Sequence, residues 1–140
     1  MDDTENTKKR VAVYMRFGYP NAGQILLYEQ RKREYKELID QKADWELKDF
    51  YIDEGVSGST LKNRKGFERM IEDCRAGEID LIVTGKISDI CRNIVDCIEC
   101  IRELKAMDPP VGIFFKTENL YTLDDKSDEL LSIVYSYYAT

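Results

Sequence analysis

Short apolar runs alternate along this chain with longer stretches of helical period, and that alternation limits the fold more than any other feature. RVAVYMRF (Arg10–Phe17), IDLIVT (Ile79–Thr84) and VGIFF (Val111–Phe115) have the β-branched and aromatic composition of strands. IDLIVT is apolar enough for a central strand covered on both faces, as in parallel sheets. Leu47–Asp53, with Leu47, Phe50 and Ile52 apolar, predicts a further strand, and Leu120–Leu123 a short edge strand. Between the first two strands, residues 24–42 carry Ile25, Leu26, Tyr28, Tyr35, Leu38 and Ile39 among Lys, Arg and Glu, the spacing of an amphipathic helix. Phe67–Arg75 predicts a short helix with Phe67, Met70, Ile71 and Cys74 on one side and Gly77 as its stop. Residues 91–107 predict another, buried along Ile94, Ile98, Ile101 and Leu104 and ended by Pro109 and Pro110. From Asp128 a helical pattern runs through Leu130, Leu131, Ile133 and Val134 to Thr140 without a cap, so a C-terminal helix truncated by the chain end is expected. Strands alternating with helices give an α/β fold around a mostly parallel β-sheet of four to five strands.

The remaining composition narrows the class. A length of 140 residues suits one compact domain, here residues 10–140 behind a flexible tail over 1–9. With 43% hydrophobic and 34% charged residues the chain is globular and not disordered. No apolar run approaches the roughly 18 residues of a membrane span, and the polar start MDDTENTKKR lacks the apolar core of a secretory signal, so no membrane association and a cytoplasmic location are expected. The net charge of −6 argues against a stand-alone nucleic-acid binder. Charge is nevertheless segregated. Lys62, Arg64, Lys65 and Arg69 face only Glu68 in their stretch, whereas residues 118–129 set Glu118, Asp124, Asp125, Asp128 and Glu129 against Lys126.

There is no histidine, which removes the commonest general base and the commonest metal ligand together. Of the four cysteines, Cys97 and Cys100 form a CxxC, but they fall inside a helical pattern without a second pair. Reduced, partly buried thiols are expected, with no metal and no cofactor.

Ligands of such sheets meet the carboxyl ends of the strands. Three connections matter: Arg16–Pro20 after the first strand, the glycine- and serine-rich Gly55–Gly66 (GVSGSTLKNRKG) after the second, and Gly85–Asn93 after the third. Each carries an arginine, Arg16, Arg64 and Arg92. Three guanidiniums converging there would suit a phosphate, whose oxygens they match in bidentate pairs, although pairing with surface carboxylates is the ordinary alternative.

The stretch DEGVSGSTLKNRKGFERMIEDCRAGEIDLIVT (Asp53–Thr84), with ICRN at Ile90–Asn93, IRELKA at Ile101–Ala106 and VGIFF, resembles the catalytic domain of serine site-specific recombinases. This is the resolvase and invertase family, and the likeness is greatest to the large serine recombinases of phages and mobile elements. It runs from about Arg10 to Thr140 and implies a resolvase-like three-layer fold. It also implies a chemistry: a serine hydroxyl attacks the scissile phosphodiester, forms a phosphoserine link to the 5′ end and frees a 3′-hydroxyl, while arginines stabilise the charged phosphorus without a metal. DNA would be recognised mainly through C-terminal regions absent from this chain, by a homodimer that becomes a tetramer in synapsis.

Carried over by position, Arg16, Arg64 and Arg92 match arginines of the family's site, Lys62 and Lys65 extend the phosphate- and DNA-binding loop, and Gln24 aligns loosely with a supporting glutamine. Two positions depart. Gly18 stands where the nucleophilic serine should be, and glycine cannot bond covalently to phosphate. Asp89, beside Ser88, stands where an active-site arginine should be, which puts an anion next to a phosphate. The resemblance therefore implies a recombinase domain with impaired chemistry. The alternatives are a non-catalytic assembly or regulatory module that pairs with an active recombinase, and an active recombinase with a substitute nucleophile such as Tyr19, Ser57, Ser59 or Ser88.

Overall fold

The computed structural model of the protein describes residues 8–17, 22–54, 64–90 and 93–124, together with Ser132 and Ser136. β1 (Lys9–Phe17) is followed by α1 (Ala22–Asp40), β2 (Trp45–Glu54), α2 (Lys65–Arg75), β3 (Leu81–Thr84), α3 (Ile87–Ile90), α4 (Ile94–Lys105), β4 (Gly112–Phe115) and β5 (Leu120–Tyr121). The strands form one five-stranded sheet in the order β2-β1-β3-β4-β5. Every neighbouring pair is parallel except β4 with β5. That exception follows from the connection. Only residues 116–119 separate the two strands, and a parallel crossover needs a dozen or more residues. Asn119, at φ 53, supplies the left-handed residue that the tight turn requires.

Strand residues alternate between two cores, as the period of two demands. Val11, Val13, Met15 and Phe17 of β1 pack with Leu81, Val83 and the α1 residues Tyr35 and Ile39. Ala12 and Tyr14 face the other way, onto Met70, Ile71 and Cys74 of α2 and Cys97, Ile101 and Leu104 of α4. The sheet is thus the middle of three layers. IDLIVT behaves as its composition predicts, with all four residues of β3 buried.

Three details differ from the sequence expectation. Ile25 and Leu26 are exposed, at 59% and 72%, although the helix containing them is amphipathic. Leu26 lies about 160° round the helix from Tyr28 at 3.6 residues per turn, so it cannot share the core face. The helix predicted over 91–107 spans Ile94–Lys105, because the Asn93 side chain accepts the Asp96 amide at 2.9 Å and caps it. The connection after β3 contains the short helix α3, which four residues without a clear period could not announce. The helix expected from Asp128 falls largely outside the described residues. Among the described residues no helix is long and apolar enough to cross a membrane.

Candidate active site

The strand order reverses at β1. Its first neighbour in sequence, β2, lies on one side and β3 on the other. A crevice outside the carboxyl ends of β1 and β3 is therefore the natural ligand position of this sheet. Arg16, near the end of β1, is half-buried there, two residues beyond Tyr14 and so on the α2 face of the strand. No side-chain hydrogen bond or ion pair engages it among the described residues.

Beside Arg16 lies Asp53, its register partner on β2, which is 4% exposed. Its carboxylate accepts three hydrogen bonds, from the Tyr14 hydroxyl at 2.7 Å, the Gly66 amide at 2.7 Å and the Phe67 amide at 3.1 Å. The two amides belong to the first turn of α2, where backbone donors have no intrahelical partner. Asp53 thus caps α2 from a neighbouring strand and holds it by its positive end. Gly66 makes that approach possible: a Cβ there would sit 2.6 Å from the Ile52 carbonyl oxygen and 3.0 Å from the Asp53 carboxylate. Burial, only partly offset by the nearby Arg64 charge, pushes the Tyr14 phenol far above its ordinary range, so it stays protonated and donates.

Arg64 closes the network. At 1% exposure it is the largest fully buried side chain among the described residues. Its guanidinium donates to the Ile90 carbonyl at 2.9 Å, the Asp89 carbonyl at 2.9 Å and the Tyr14 hydroxyl at 3.3 Å. It lies 4.2 Å from the Phe67 ring centroid and 5.4 Å from that of Tyr14. Without a direct carboxylate partner among the described residues, the buried cation is tolerated because carbonyl dipoles and two ring faces replace its water. The carbonyls belong to the C-terminal end of α3, whose last carbonyls have no intrahelical donor.

Asp89 holds the other end of the same helix. Its carboxylate accepts the Lys86 amide at 3.0 Å, reaching back three residues in the manner of a capping box. The Ile87 amide donates to Glu118 at 3.2 Å, which ties the turn to the loop after β4. Tyr35 of α1 stands close by: a Cβ on Gly85 would be 3.1 Å from the Asp89 carboxylate and 3.5 Å from the Tyr35 hydroxyl. Burial and the Asp89 charge push the Tyr35 phenol up to about 12. Ser88 is half-buried within α3, and Lys65 is exposed at the start of α2. Gly18, Tyr19, Ser57, Ser59, Lys62 and Arg92 lie outside the described residues, as does the side chain of Gln24.

Three of the four cysteines fit the expectation for reduced thiols, and Cys91 lies outside the described residues. Cys74 and Cys97 are buried, Cys100 is half-buried, and all three are free. Burial pushes Cys74 and Cys100 up to about 12, so neither is a thiolate at neutral pH.

Comparison with known proteins identifies the fold that carries this strand-end arrangement. The sequence profile described as "Resolvase, N terminal domain" matches residues 11–140. The chain belongs to the resolvase family. A resolvase family site-specific recombinase from Streptococcus pneumoniae has a similar structure, with 26% identity, a TM-score of 0.68 and coverage of 93% of this chain and 87% of that one. The N-terminal catalytic domain of TP901-1 integrase is similar in fold at 22% identity and a TM-score of 0.70, over 92% and 93% of the two chains. The C-terminal catalytic domain of ISC1926 TnpA, an IS607-like serine recombinase, is similar at 16% identity and a TM-score of 0.62, over 91% and 79%. No curated protein sequence matches the chain.

In this resolvase-family domain the network built from Tyr14, Asp53 and Arg64 ties the ends of β1 and β2 to α2 and α3. Asp53 and Tyr14 escaped sequence reasoning as site residues. Little marked Asp53: β2 also carries Glu46, Lys48, Asp49 and Glu54, so its carboxylate reads as one more charge on a half-exposed strand just before a glycine-rich loop. Tyr14 reads as one more apolar strand residue, and nothing in its neighbours marks its hydroxyl.

Proposed function

We propose that this domain is a recombinase catalytic fold that holds DNA at the crevice without cutting it. The observation that carries the reading is the pair of departures from the family's pattern, Gly18 and Asp89. Gly18 has no hydroxyl to attack phosphorus, and the Asp89 carboxylate serves as a helix cap where the family places a phosphate-binding arginine. Removing the nucleophile of a serine enzyme lowers turnover by about 10⁶. Removing an arginine that stabilises phosphoryl-transfer charge lowers it by roughly 10³–10⁵. Together they leave no useful strand cleavage. Arg16, with Lys65 at the start of α2 and with Lys62 and Arg92 of the sequence, supplies the cations that would contact the backbone phosphates. Sequence recognition comes from segments beyond residue 140, and the domain works as a homodimer or beside an active recombinase subunit.

The test is covalent capture. Incubating the protein, joined to its DNA-recognition region, with its target duplex should give no protein–DNA adduct on a denaturing gel. A stable adduct would overturn the proposal, and its loss in Tyr19→Phe would assign the nucleophile to Tyr19.

A further inference from the structure

Among the described residues the α1 face of the sheet is only partly covered. Among the described residues α1 is the helix packed on it, through Leu27, Tyr28, Tyr35, Leu38 and Ile39. Its larger contacts are with β1 and β2. Towards β4 and β5, Phe114 and Tyr121 remain half-exposed. Here a cleft of 260 Å³ opens at the end of the sheet where β1, β2 and β3 begin. Leu81 is buried at its base, Phe114 and Leu38 extend the apolar surface, and Trp45 and Tyr121 line it further. The Trp45 and Phe114 rings meet edge-on, 6.4 Å apart.

Two lysines border the cleft. Lys9 Nζ lies 5.6 Å from the Tyr121 ring centroid and 3.3 Å from its hydroxyl, and Lys42 Nζ lies 5.5 Å from the Trp45 ring centroid. Neither takes part in an ion pair among the described residues, where the five ion pairs use Arg10, Lys48, Arg69 and Arg75. Lysines outside close ion pairs are notable in a chain with 27 acidic and 21 basic residues.

We propose that this cleft docks an acidic segment of a protein partner, anchored by one aliphatic side chain among flanking carboxylates. The volume is below the roughly 300–1,000 Å³ of sites that enclose a small molecule, but suits a single side chain. The apolar base wants hydrocarbon, and the two ammonium groups at its edge, outside any ion pair among the described residues, want carboxylates. Single-stranded nucleic acid also favours lysines with aromatic rings, but its bases need open ring faces on which to stack. The ring faces of Tyr121 and Trp45 already carry the ammonium groups of Lys9 and Lys42. The cleft lies at the opposite end of the sheet from the crevice, so both could be occupied at once.

Trp45 is the only tryptophan in the chain, so its emission reports on the cleft directly. The probe is the capped peptide Asp-Asp-Leu-Asp-Asp, titrated into the 140-residue protein. A saturable change in Trp45 emission is expected, with affinity reduced roughly tenfold in Lys9→Glu/Lys42→Glu and abolished when alanine replaces the peptide's leucine. Circular dichroism checks that the variant is folded, and Lys9→Gln/Lys42→Gln replaces it if it is not. The proposal is overturned by the absence of a saturable change at millimolar peptide, by equal binding of Lys-Lys-Leu-Lys-Lys, or by an oligothymidylate that binds the cleft and displaces the peptide.

Discussion

Replacing Arg64 by methionine keeps much of the side chain's length and removes every donor. In the native chain the guanidinium is 1% exposed and donates to the Asp89 and Ile90 carbonyls at 2.9 Å each. Leaving two such carbonyls without donors costs about 1–3 kcal/mol apiece. Losing the cation from the Phe67 ring, 4.2 Å away, removes about 0.5–2 kcal/mol more. The guanidinium no longer has to be desolvated, which offsets part of the loss. The net expectation is a destabilisation of about 3 kcal/mol, or about 10 °C in melting temperature for a domain of this size. Urea denaturation followed by circular dichroism at neutral pH measures it. Arg64→Lys should lose about half as much, because an ammonium keeps the charge but cannot span both carbonyls. If Arg64→Met unfolds within about 0.5 kcal/mol of the native protein, as a solvent-facing residue would, the guanidinium does not anchor α3 and the reasoning is wrong.

Two further perturbations test the same frame. Gly66→Ala adds a Cβ 2.6 Å from a backbone carbonyl, so it should destabilise by about 2 kcal/mol despite the better helix propensity of alanine; a rise in thermal midpoint would refute the close approach. Burial holds Cys74 and Cys100 near 12 against an ordinary 9.0, and Tyr35 near 12 against 10.0. The folded chain therefore retains protons that the unfolded chain releases, and stability falls as pH rises. It should be fully present below pH 9.0 and decline progressively towards pH 12 in denaturant melts under reducing conditions. A flat profile across that window would contradict the burial of these groups.

Strands were the legible part of this fold. Apolar runs such as IDLIVT carry their burial in their composition, because a strand covered on both faces has no polar side to show. Arg16 and Arg64 were legible as arginines at strand ends, but their surroundings are not equivalent, and Arg92 lies outside the described residues. Arg16 and Arg64 look alike in sequence. In the structure, Arg16 is half-buried at the crevice and unpaired among the described residues, whereas Arg64 sits under α3 with its donors turned to backbone carbonyls. Burial depends on which elements close over a residue, and α3 was too short to predict.

The sequence by itself determined the α/β class and the family, and it places glycine at 18 and aspartate at 89, the residues on which the proposed loss of cleavage rests. Each depends only on which residue types occur and at what spacing. Tertiary structure alone decided that Asp53 caps a helix 13 residues ahead of it, that Arg64 anchors the turn holding Asp89, and that Lys9 and Lys42 meet aromatic rings across one cleft. These contacts join residues far apart in the chain. Their hydrogen bonds and ring contacts arise only after the sheet has fixed which strand ends stand side by side.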